Sequence, residues 1–262
     1  MNFIQFKKMK TALIQTTLFW ENPTENRRHI TQKINDLPAN VDLIVLPEMF
    51  SSGFTMNPTA VAETMNGETI MELKQLAKAK NCAITGSLVI EEHGKFYNRL
   101  VFIFPNGAVQ HYNKRHLFTL AGEQQNFEAG NRREIILYKG IRIMPQICYD
   151  LRFPVFSRNN NDYDLLIYVA NWPETRITAW DTLLKARAIE NMSAVIGVNR
   201  IGVDGKNLSY PGHSAVIDCL GNTQVQVLND DRTEIVEIDF EFQRQQREKL
   251  GFLNDADAFD LR

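Results

Sequence analysis

Short apolar runs alternate with amphipathic segments along most of this chain of 262 residues. The apolar runs are rich in Val, Ile and Leu, which is typical of buried strands, and they predict strands over residues 11–15, 43–46, 83–90, 165–170 and 194–199. Asn22 followed by Pro23 is a typical helix start. The amphipathic segments predict helices from residue 22 toward 37, over 68–80 and over about 177–192.

Glycine-containing turns between neighbouring apolar runs predict hairpins as well. They occur at residues 92–94, 106–107, 139–140 and 221–222, and near residue 205. Some of the predicted strands alternate with helices, and others are joined by hairpins. Strands of these two kinds, with helices on the outside, favour an α/β fold with mixed sheets. No linker or low-complexity stretch divides the chain, so we predict one domain over residues 9–262 after a leader at residues 1–8.

Composition and charge exclude several classes of protein. The formal net charge of −2 provides no basic surface for nucleic acid or an anionic membrane. No apolar stretch approaches the roughly 18 residues of a membrane span, and residues 1–8 are too short for a secretory signal. We therefore expect a cytoplasmic protein that binds neither nucleic acid nor membrane.

Cysteine and histidine usage gives no support for a metal or a cofactor. The three cysteines are odd in number and widely separated, which predicts neither a disulfide framework nor a paired-cysteine metal site. The five histidines lack the spacing of two ligands on one helix face. Cys82 and Cys219 have the surroundings of core cysteines, and only Cys148 stands at a strand end followed by polar sequence.

Cys148 ends the apolar run that precedes it and opens a segment that we predict to be helical. A sharp turn at such a place can expose the sulfur and aim backbone N–H groups at the group that it attacks. Cys148 is therefore a candidate nucleophile. The alternative is a small core residue, because free cysteine is among the most buried residue types.

Two more candidate residues follow predicted strands. Glu48 comes directly after the run that Pro47 ends, at a carboxyl strand end where open α/β sheets place their ligands. Lys114 follows a short strand and enters an irregular stretch that contains Glu123. Alone, a glutamate at such a place is more often a solvated loop residue, and a lone lysine indicates no function.

Together, these segments resemble the nitrilase superfamily of carbon–nitrogen hydrolases over nearly the whole chain from Met9. The matching motifs stand in the order expected for the family: Leu46-Pro47-Glu48-Met49-Phe50, Tyr112-Asn-Lys-Arg-His-Leu-Phe118, Cys148-Tyr-Asp-Leu-Arg-Phe153 and Ala170-Asn-Trp-Pro173. The resemblance implies a four-layer α-β-β-α sandwich. It also implies a homodimer whose interface includes the helix after the nucleophile, with Phe153, Val155 and Phe156 as candidate contacts or, alternatively, as core residues.

The resemblance also implies roles for individual residues. Cys148 is the nucleophile, Glu48 the general base, and Lys114 the cation that faces the oxyanion together with the backbone N–H of Tyr149. Glu123 matches a second family glutamate that either orients Lys114 or the substrate amide, or serves as a structural carboxylate. Because a cation favours a thiolate, we expect Lys114 to promote ionisation of Cys148.

The residues after Cys148 bear on the substrate. True nitrilases usually have tryptophan and glutamate there, whereas this chain has Tyr149 and Asp150, which favours an amide. The motifs look most like the bacterial omega-amidases, which hydrolyse the terminal amide of short 2-oxo dicarboxylic acid monoamides such as 2-oxoglutaramate and 2-oxosuccinamate. Two alternatives stay open, namely a deaminated-glutathione amidase or another aliphatic amidase of the superfamily, and a catalytically silent binding protein.

An omega-amidase must hold the substrate carboxylate while the amide at the other end meets the cysteine. We predict that Arg176 binds that carboxylate through two parallel hydrogen bonds, with Arg200 as the other candidate. The alternative for Arg176 is a role in capping or solvating the following helix. The rings of Phe50, Phe118 and Trp172 are expected to enclose the short carbon chain.

Overall fold

Two β-sheets stacked face to face form the centre of the computed structural model, which describes residues 8–260. In chain order the strands are β1 (Lys8–Gln15), β2 (Leu43–Val45), β3 (Ala83–Glu92), β4 (Lys95–Ile103), β5 (Val109–Asn113), β6 (Ile136–Tyr138), β7 (Ile141–Ile147), β8 (Leu165–Ala170), β9 (Ala194–Asn199), β10 (Ile201–Val203), β11 (Ser209–Ile217), β12 (Thr223–Leu228) and β13 (Arg232–Asp239). The first sheet has the order β13-β1-β2-β3-β4-β5, and the second has the order β10-β11-β9-β8-β7-β6 with β12 paired to β11.

Helices cover the outer sides of both sheets. They are α1 (Pro23–Asn35), α2 (Pro58–Val61), α3 (Glu68–Lys80), α4 (Pro154–Ser157), α5 (Ile177–Asn191) and α6 (Phe240–Leu250). Short 3₁₀ helices occur at Thr119–Ala121, Glu123–Gln125, Cys148–Arg152, Glu174–Arg176 and Phe252–Asp255. Within residues 8–260 we find no helix with the length and apolar character needed to span a bilayer.

Two apolar cores hold these layers together. Inward-facing side chains of the two sheets, such as Leu13, Phe102 and Ile147, share one core, which Trp180 and Leu184 of α5 extend on the far side of the second sheet. The second core lies between the first sheet and the helices α1 and α3. The layer order is therefore α-β-β-α, which confirms the expected fold.

Most of the predicted elements are present, with small shifts at their ends. α3, β8 and β9 have the predicted limits, and the side chain of Asn22 accepts a hydrogen bond from the backbone N–H of Glu25, as expected of a helix cap. Lys8, which the sequence assigned to the leader, already lies in β1, while residues 1–7 of that leader lie outside the described residues.

We predicted a helix after Cys148, and this prediction is wrong about the type of helix. The chain forms a five-residue 3₁₀ helix, Cys148–Arg152, and then the single turn α4, which begins at Pro154. Proline has no backbone N–H to continue the preceding turn but fits the first position of a new one. The C-terminal strand β13, which we did not predict, pairs along the whole length of β1.

The strand directions bring several chain segments to one edge of the stacked sheets. β1, β2 and β3 are parallel to one another, and so are β7, β8 and β9. The carboxyl ends of parallel strands meet at the same edge, which is where such sheets bind ligands. Glu48 follows β2, Lys114 follows β5, Cys148 follows β7 and Asn171 follows β8.

Candidate active site

Cys148 occupies a strained turn between β7 and the 3₁₀ helix Cys148–Arg152. Its φ of +45° lies in the left-handed region, which is unfavourable for any residue with a Cβ. Met49, next to Glu48, has a φ of +43°. Strain of this kind persists only where the surroundings enforce it, and it is common at functional sites. The Cys148 thiol and the Glu48 carboxylate thus lie at or beside turns whose backbone is held in an unusual conformation.

Glu48, Lys114 and Glu123 form a buried cluster beneath Cys148. All three side chains are shielded from solvent. The Lys114 ammonium donates to Oε1 of Glu48 at 2.9 Å and to the two oxygens of Glu123 at 3.1 and 2.9 Å. The backbone N–H of Phe118 also donates to Glu123, at 2.6 Å. The structure thus brings together three residues that are separated by up to 75 positions in the chain.

Two asparagines that the sequence analysis missed hold the carboxylates of this cluster. Asn98 of β4 donates to Oε1 of Glu48 at 2.8 Å and to Oε1 of Glu123 at 3.2 Å. Asn171 donates its backbone N–H to Oε2 of Glu48 at 2.8 Å. A polar residue inside the apolar run 97–104 was the available sequence signal for Asn98.

The charges of the cluster determine the protonation state of Lys114. Burial acts to lower the pKa of the Lys114 ammonium, but the carboxylates of Glu123 and Glu48 outweigh burial and raise it, so this lysine stays charged. Burial raises the pKa of Glu123, although the Lys114 cation opposes that shift. Lys114 is therefore a permanent cation at neutral pH.

Opposing influences act on the pKa of the Cys148 thiol. Burial, and then the negative charge of Glu48, raise the pKa of this thiol well above its ordinary value, and Lys114 only partly offsets them. Lys114 does favour ionisation of this thiol, as we expected, but its effect is smaller than the combined effect of burial and Glu48. The raised pKa favours the neutral thiol over the thiolate.

Asp150 ties the Cys148 turn to the segment that carries Lys114. One of its buried oxygens accepts from the Tyr112 hydroxyl at 2.8 Å and from the Ile147 backbone N–H at 3.0 Å. The other accepts from the His116 backbone N–H at 3.0 Å and lies 2.7 Å from Nδ1 of His116. One carboxylate therefore positions the residue before the nucleophile and residues on both sides of Lys114.

A cavity of about 240 Å³ opens above Cys148. Its lining includes three of the predicted substrate-binding residues, Phe118, Trp172 and Arg176. Phe50 does not reach it, because its side chain is buried in the core between the first sheet and α1 and α3. The assignment of Phe50 is thus wrong. Phe54 lines the cavity instead, and its ring lies 5.1 Å from the Lys114 ammonium.

Cationic side chains form the outer rim of this cavity. Arg152 lies over the Trp172 ring at 5.1 Å and Arg176 over the Phe118 ring at 5.2 Å, and Lys206 also lines the cavity. We call Arg152, Arg176 and Lys206 the cationic rim. Arg176 occupies the N-cap position of α5, where its guanidinium, which has no acceptor atom, cannot cap the backbone N–H groups of the helix.

The two remaining candidates differ in their relation to the cavity. Arg200 is fully buried, stacks on Tyr210 at 4.8 Å and donates to backbone carbonyls, and it is not part of the cavity lining. Tyr149 does line the cavity. It is the second residue of its 3₁₀ helix, where backbone N–H groups have no partner within the helix. An oxyanion contact by that N–H stays a prediction.

Two further observations concern another cavity and possible metal sites among the described residues. A larger cavity of about 420 Å³ lies along the edge strand β5, but none of Glu48, Lys114 and Cys148 lines it. Among residues 8–260, no three His, Cys, Asp or Glu side chains are grouped in a way that could hold a metal ion. The strained cysteine, the buried charges and the cavity thus coincide at one place only within the described residues.

Comparison with known proteins gives matches over nearly the whole chain. Residues 10–248 match the family model of the carbon-nitrogen hydrolases. The omega-amidase YafV of Escherichia coli K12 is 41% identical over 257 residues, which cover 97% of this chain and 98% of that protein. The 2-oxoglutaramate amidase of Bacillus subtilis 168 is 28% identical over 253 residues, covering 95% and 97%.

Among solved structures, the protein XC1258 from Xanthomonas campestris is similar throughout. It is described as a CN-hydrolase superfamily protein with an arsenic adduct in the active site. The two structures superimpose with a TM-score of 0.96 at 40% identity, over 98% of this chain and 100% of that one.

Proposed function

The chain belongs to the carbon–nitrogen hydrolase family, and we propose that it is an omega-amidase acting on short 2-oxo dicarboxylic acid monoamides. Its substrates would be 2-oxoglutaramate and 2-oxosuccinamate, and its products the 2-oxo dicarboxylic acid and ammonia. The observation that carries this proposal is the arrangement of the cavity. A cysteine beside a buried carboxylate and ammonium lies at its base, and a rim with three cations lies at its mouth.

In the proposed first step, Sγ of Cys148 attacks the amide carbon while the thiol proton moves to Glu48. Because the pKa of the thiol is raised, its attack is coupled to transfer of its proton to a base, and Glu48 is that base. The carbonyl electrons move to oxygen, giving an oxyanion. Lys114 and the backbone N–H of Tyr149 would stabilise that charge, and one such donor typically contributes about 10²–10³ in rate.

The tetrahedral intermediate then collapses. Glu48 gives its proton to the amide nitrogen, the C–N bond breaks, and ammonia leaves a thioester on Cys148. A water molecule next loses a proton to Glu48 and attacks the thioester carbon. The C–S bond breaks, the proton returns to sulfur, and the acid is released. Glu48 thus acts as base, acid and base again.

Glu123 supports this cycle by keeping Lys114 charged and in place. Glu48 becomes neutral whenever it carries the shuttled proton, and Lys114 would then lose its other anionic partner. Glu123, whose oxygens accept from the Lys114 ammonium at 3.1 and 2.9 Å, would remain its anionic partner through that step. We therefore assign Glu123 the role of orienting Lys114, rather than of a merely structural carboxylate.

The cationic rim suits the other end of the substrate. A short monoamide carries its carboxylate a few bonds from the reacting amide, and Arg176 is the partly buried residue of the rim, whereas Arg152 and Lys206 are exposed. A guanidinium binds a carboxylate through two parallel hydrogen bonds, which fixes orientation as well as charge. Phe54, Phe118 and Trp172 would enclose the carbon chain between them.

Ammonia release from a panel of amides tests this function. The panel contains 2-oxoglutaramate, 2-oxosuccinamate, glutamine, asparagine, deaminated glutathione and a simple nitrile. We expect the highest kcat/KM for the two 2-oxo monoamides. A higher value for deaminated glutathione would favour the alternative amidase of the same superfamily. No release from any member would favour a binding protein.

We further propose that the protein is a cytoplasmic homodimer with an interface near α4. Val155 is exposed there at 53%, whereas Phe156 is buried and Phe153 stacks on His116 at 3.8 Å, so these two phenylalanines belong to the fold. Light scattering on the wild type and on Val155→Glu tests this arrangement. We expect a dimer that the substitution weakens, and a fully active wild-type monomer would contradict it.

A further inference from the structure

One side chain holds the backbone of Trp172 on both sides. Asn199, at the end of β9, accepts from the Trp172 N–H at 2.7 Å through Oδ1 and donates from Nδ2 to the Trp172 carbonyl at 2.9 Å. The same amide accepts from the Arg200 N–H and donates to the Gly212 carbonyl. Asn199 is buried, and a buried amide with all of these partners has little freedom to move. The backbone of Trp172 is therefore fixed independently of its ring.

The indole of Trp172 contacts both arginines of the cationic rim, but in different ways. Its Nε1–H donates to the backbone carbonyl of Arg176 at 2.8 Å. The guanidinium of Arg152 lies over its ring at 5.1 Å. Trp180 of α5 packs against the same indole, with 5.5 Å between the ring centroids. The ring is thus held in place with its N–H directed at the turn that carries Arg176.

The turn that carries Arg176 is short. It is the three-residue 3₁₀ helix Glu174–Arg176, in which the Arg176 N–H donates to the Pro173 carbonyl at 3.0 Å. Hydrogen bonds in 3₁₀ turns have poorer geometry than those of an α-helix, so a contact from outside contributes to the position of the turn. Arg176 is held at its backbone by Trp172, and its guanidinium lies over the Phe118 ring at 5.2 Å.

We infer that Trp172 is a positioning residue, whose indole N–H holds Arg176 where it binds the substrate carboxylate and so determines the preference for charged monoamides. This inference rests on the proposed omega-amidase function and adds a residue to it. A guanidinium binds a carboxylate through two parallel hydrogen bonds, and such an arrangement tolerates little displacement. Loss of the anchor at the Arg176 carbonyl would therefore weaken binding of the charged end of the substrate and leave the reacting end unaffected.

Trp172→Phe tests this inference, because phenylalanine keeps an aromatic ring but has no N–H. KM is measured for 2-oxoglutaramate and for pentanamide, which has the same chain length but no carboxylate. A smaller contact with the carbon chain would raise both KM values alike, so their ratio isolates the charged end. We expect the variant to lower the preference for 2-oxoglutaramate by about threefold to fivefold at nearly constant kcat, since one hydrogen bond is lost. An unchanged ratio would overturn the inference.

Trp180→Phe is the matched control. It also removes an indole hydrogen bond, which joins Trp180 Nε1 to the His213 carbonyl at 2.9 Å, and it reduces the ring surface of the same aromatic pair. Trp180 lies outside the cavity lining, so its substitution should leave the ratio unchanged. An equal change of the ratio in both variants would show a general packing effect and contradict the role of Trp172. Where Trp172→Phe does not fold, 3-benzothienylalanine at position 172 keeps the size of the ring and replaces its N–H with sulfur.

A double variant shows whether Trp172 acts through Arg176. When Arg176→Ala is already present, Trp172→Phe should cause no further change in the ratio, because the group that it positions is gone. A further decrease would show that Trp172 recognises the charged end directly, which would overturn the inference.

The wild type separates this inference from the proposed function. If the wild type has no preference for 2-oxoglutaramate over pentanamide, the omega-amidase proposal and this inference fail together. If the wild type is selective and Trp172→Phe leaves the ratio unchanged, the inference alone fails and the omega-amidase proposal stands.

Discussion

The base of the cavity and its rim are built in opposite ways. At the base, Glu48, Lys114 and Glu123 are fully buried, and Lys114 and Asn98 join the two carboxylates by hydrogen bonds of 2.8 to 3.2 Å. At the rim, the arginines lie over aromatic rings at 5.1 and 5.2 Å, and Arg152 and Lys206 are exposed. The base has one arrangement available to it, whereas the rim can adjust to a ligand.

This difference indicates which part of the reaction each region serves. Chemistry requires groups held within fractions of an ångström, and strand ends locked by buried hydrogen bonds provide that. Choice of substrate requires a charge of the right sign at a suitable distance, which exposed loop residues can supply. Substitutions at the base should therefore affect rate and stability, and substitutions at the rim should affect substrate affinity alone.

The largest expected effect is the loss of the nucleophile. Cys148→Ala and Glu48→Gln should each lower kcat for ammonia release by about 10⁴–10⁶, because groups that act as a unit fail together. The double variant should be scarcely worse than either single variant. Retained ammonia release by purified Cys148→Ala protein would contradict the thiol mechanism.

The next largest effect that we expect is a difference in stability between variants at the base and variants at the rim. Lys114→Met leaves two buried carboxylates without their cation, and breaking a buried ion pair in this way typically costs about 3–5 kcal/mol. Arg176→Met, the matched change at the rim, should alter the free energy of unfolding by less than about 0.5 kcal/mol. Urea unfolding of both variants measures the difference, and equal losses would show that the rim is also structural.

The sequence predicted the base of the site better than its supports. Glu48 and Cys148 each stand where an apolar run gives way to polar sequence, and that boundary is visible along the chain, whereas Lys114 was indicated only by the resemblance of the motif around it. Asn171 meets Glu48 across 123 positions, a contact that depends on how the sheets pair and stack. The pairing of β13 with β1 was invisible for the same reason.

Phe54 lines the cavity in place of the predicted Phe50, which shows a second limit of prediction from sequence. The run before Pro47 predicts a strand, but side-chain direction beyond it depends on the turn at Met49, where φ is +43°. Periodicity stops at the strand end, so no pattern indicates which phenylalanine faces the cavity. Turns of this kind are set by tertiary contacts, here including the hydrogen bond from the Met49 N–H to Ser87.

The reactivity of the thiol provides a test confined to the base. Because burial and Glu48 raise the pKa of Cys148, alkylation by iodoacetamide should be slow at pH 7 and should continue to rise above pH 8.5. Relative to a free cysteine of ordinary pKa, the rate at pH 7 should be lower by more than about tenfold. Mass spectrometry assigns the label to Cys148, and a rate that levels off below pH 8 would show a stable thiolate instead.

The smallest effect expected is at the rim, and it concerns affinity only. Arg176→Ala should raise KM for 2-oxoglutaramate by about tenfold, since the carboxylate loses a charge-assisted partner in a partly exposed site. KM for an uncharged amide of similar length and kcat for both should stay nearly constant, because no contact to the reacting atoms is lost. Arg152→Ala is the control, because it removes the same charge from another residue of the cavity lining. A similar rise in KM for both variants, abolished by high salt, would indicate attraction by the whole rim rather than a clamp at Arg176.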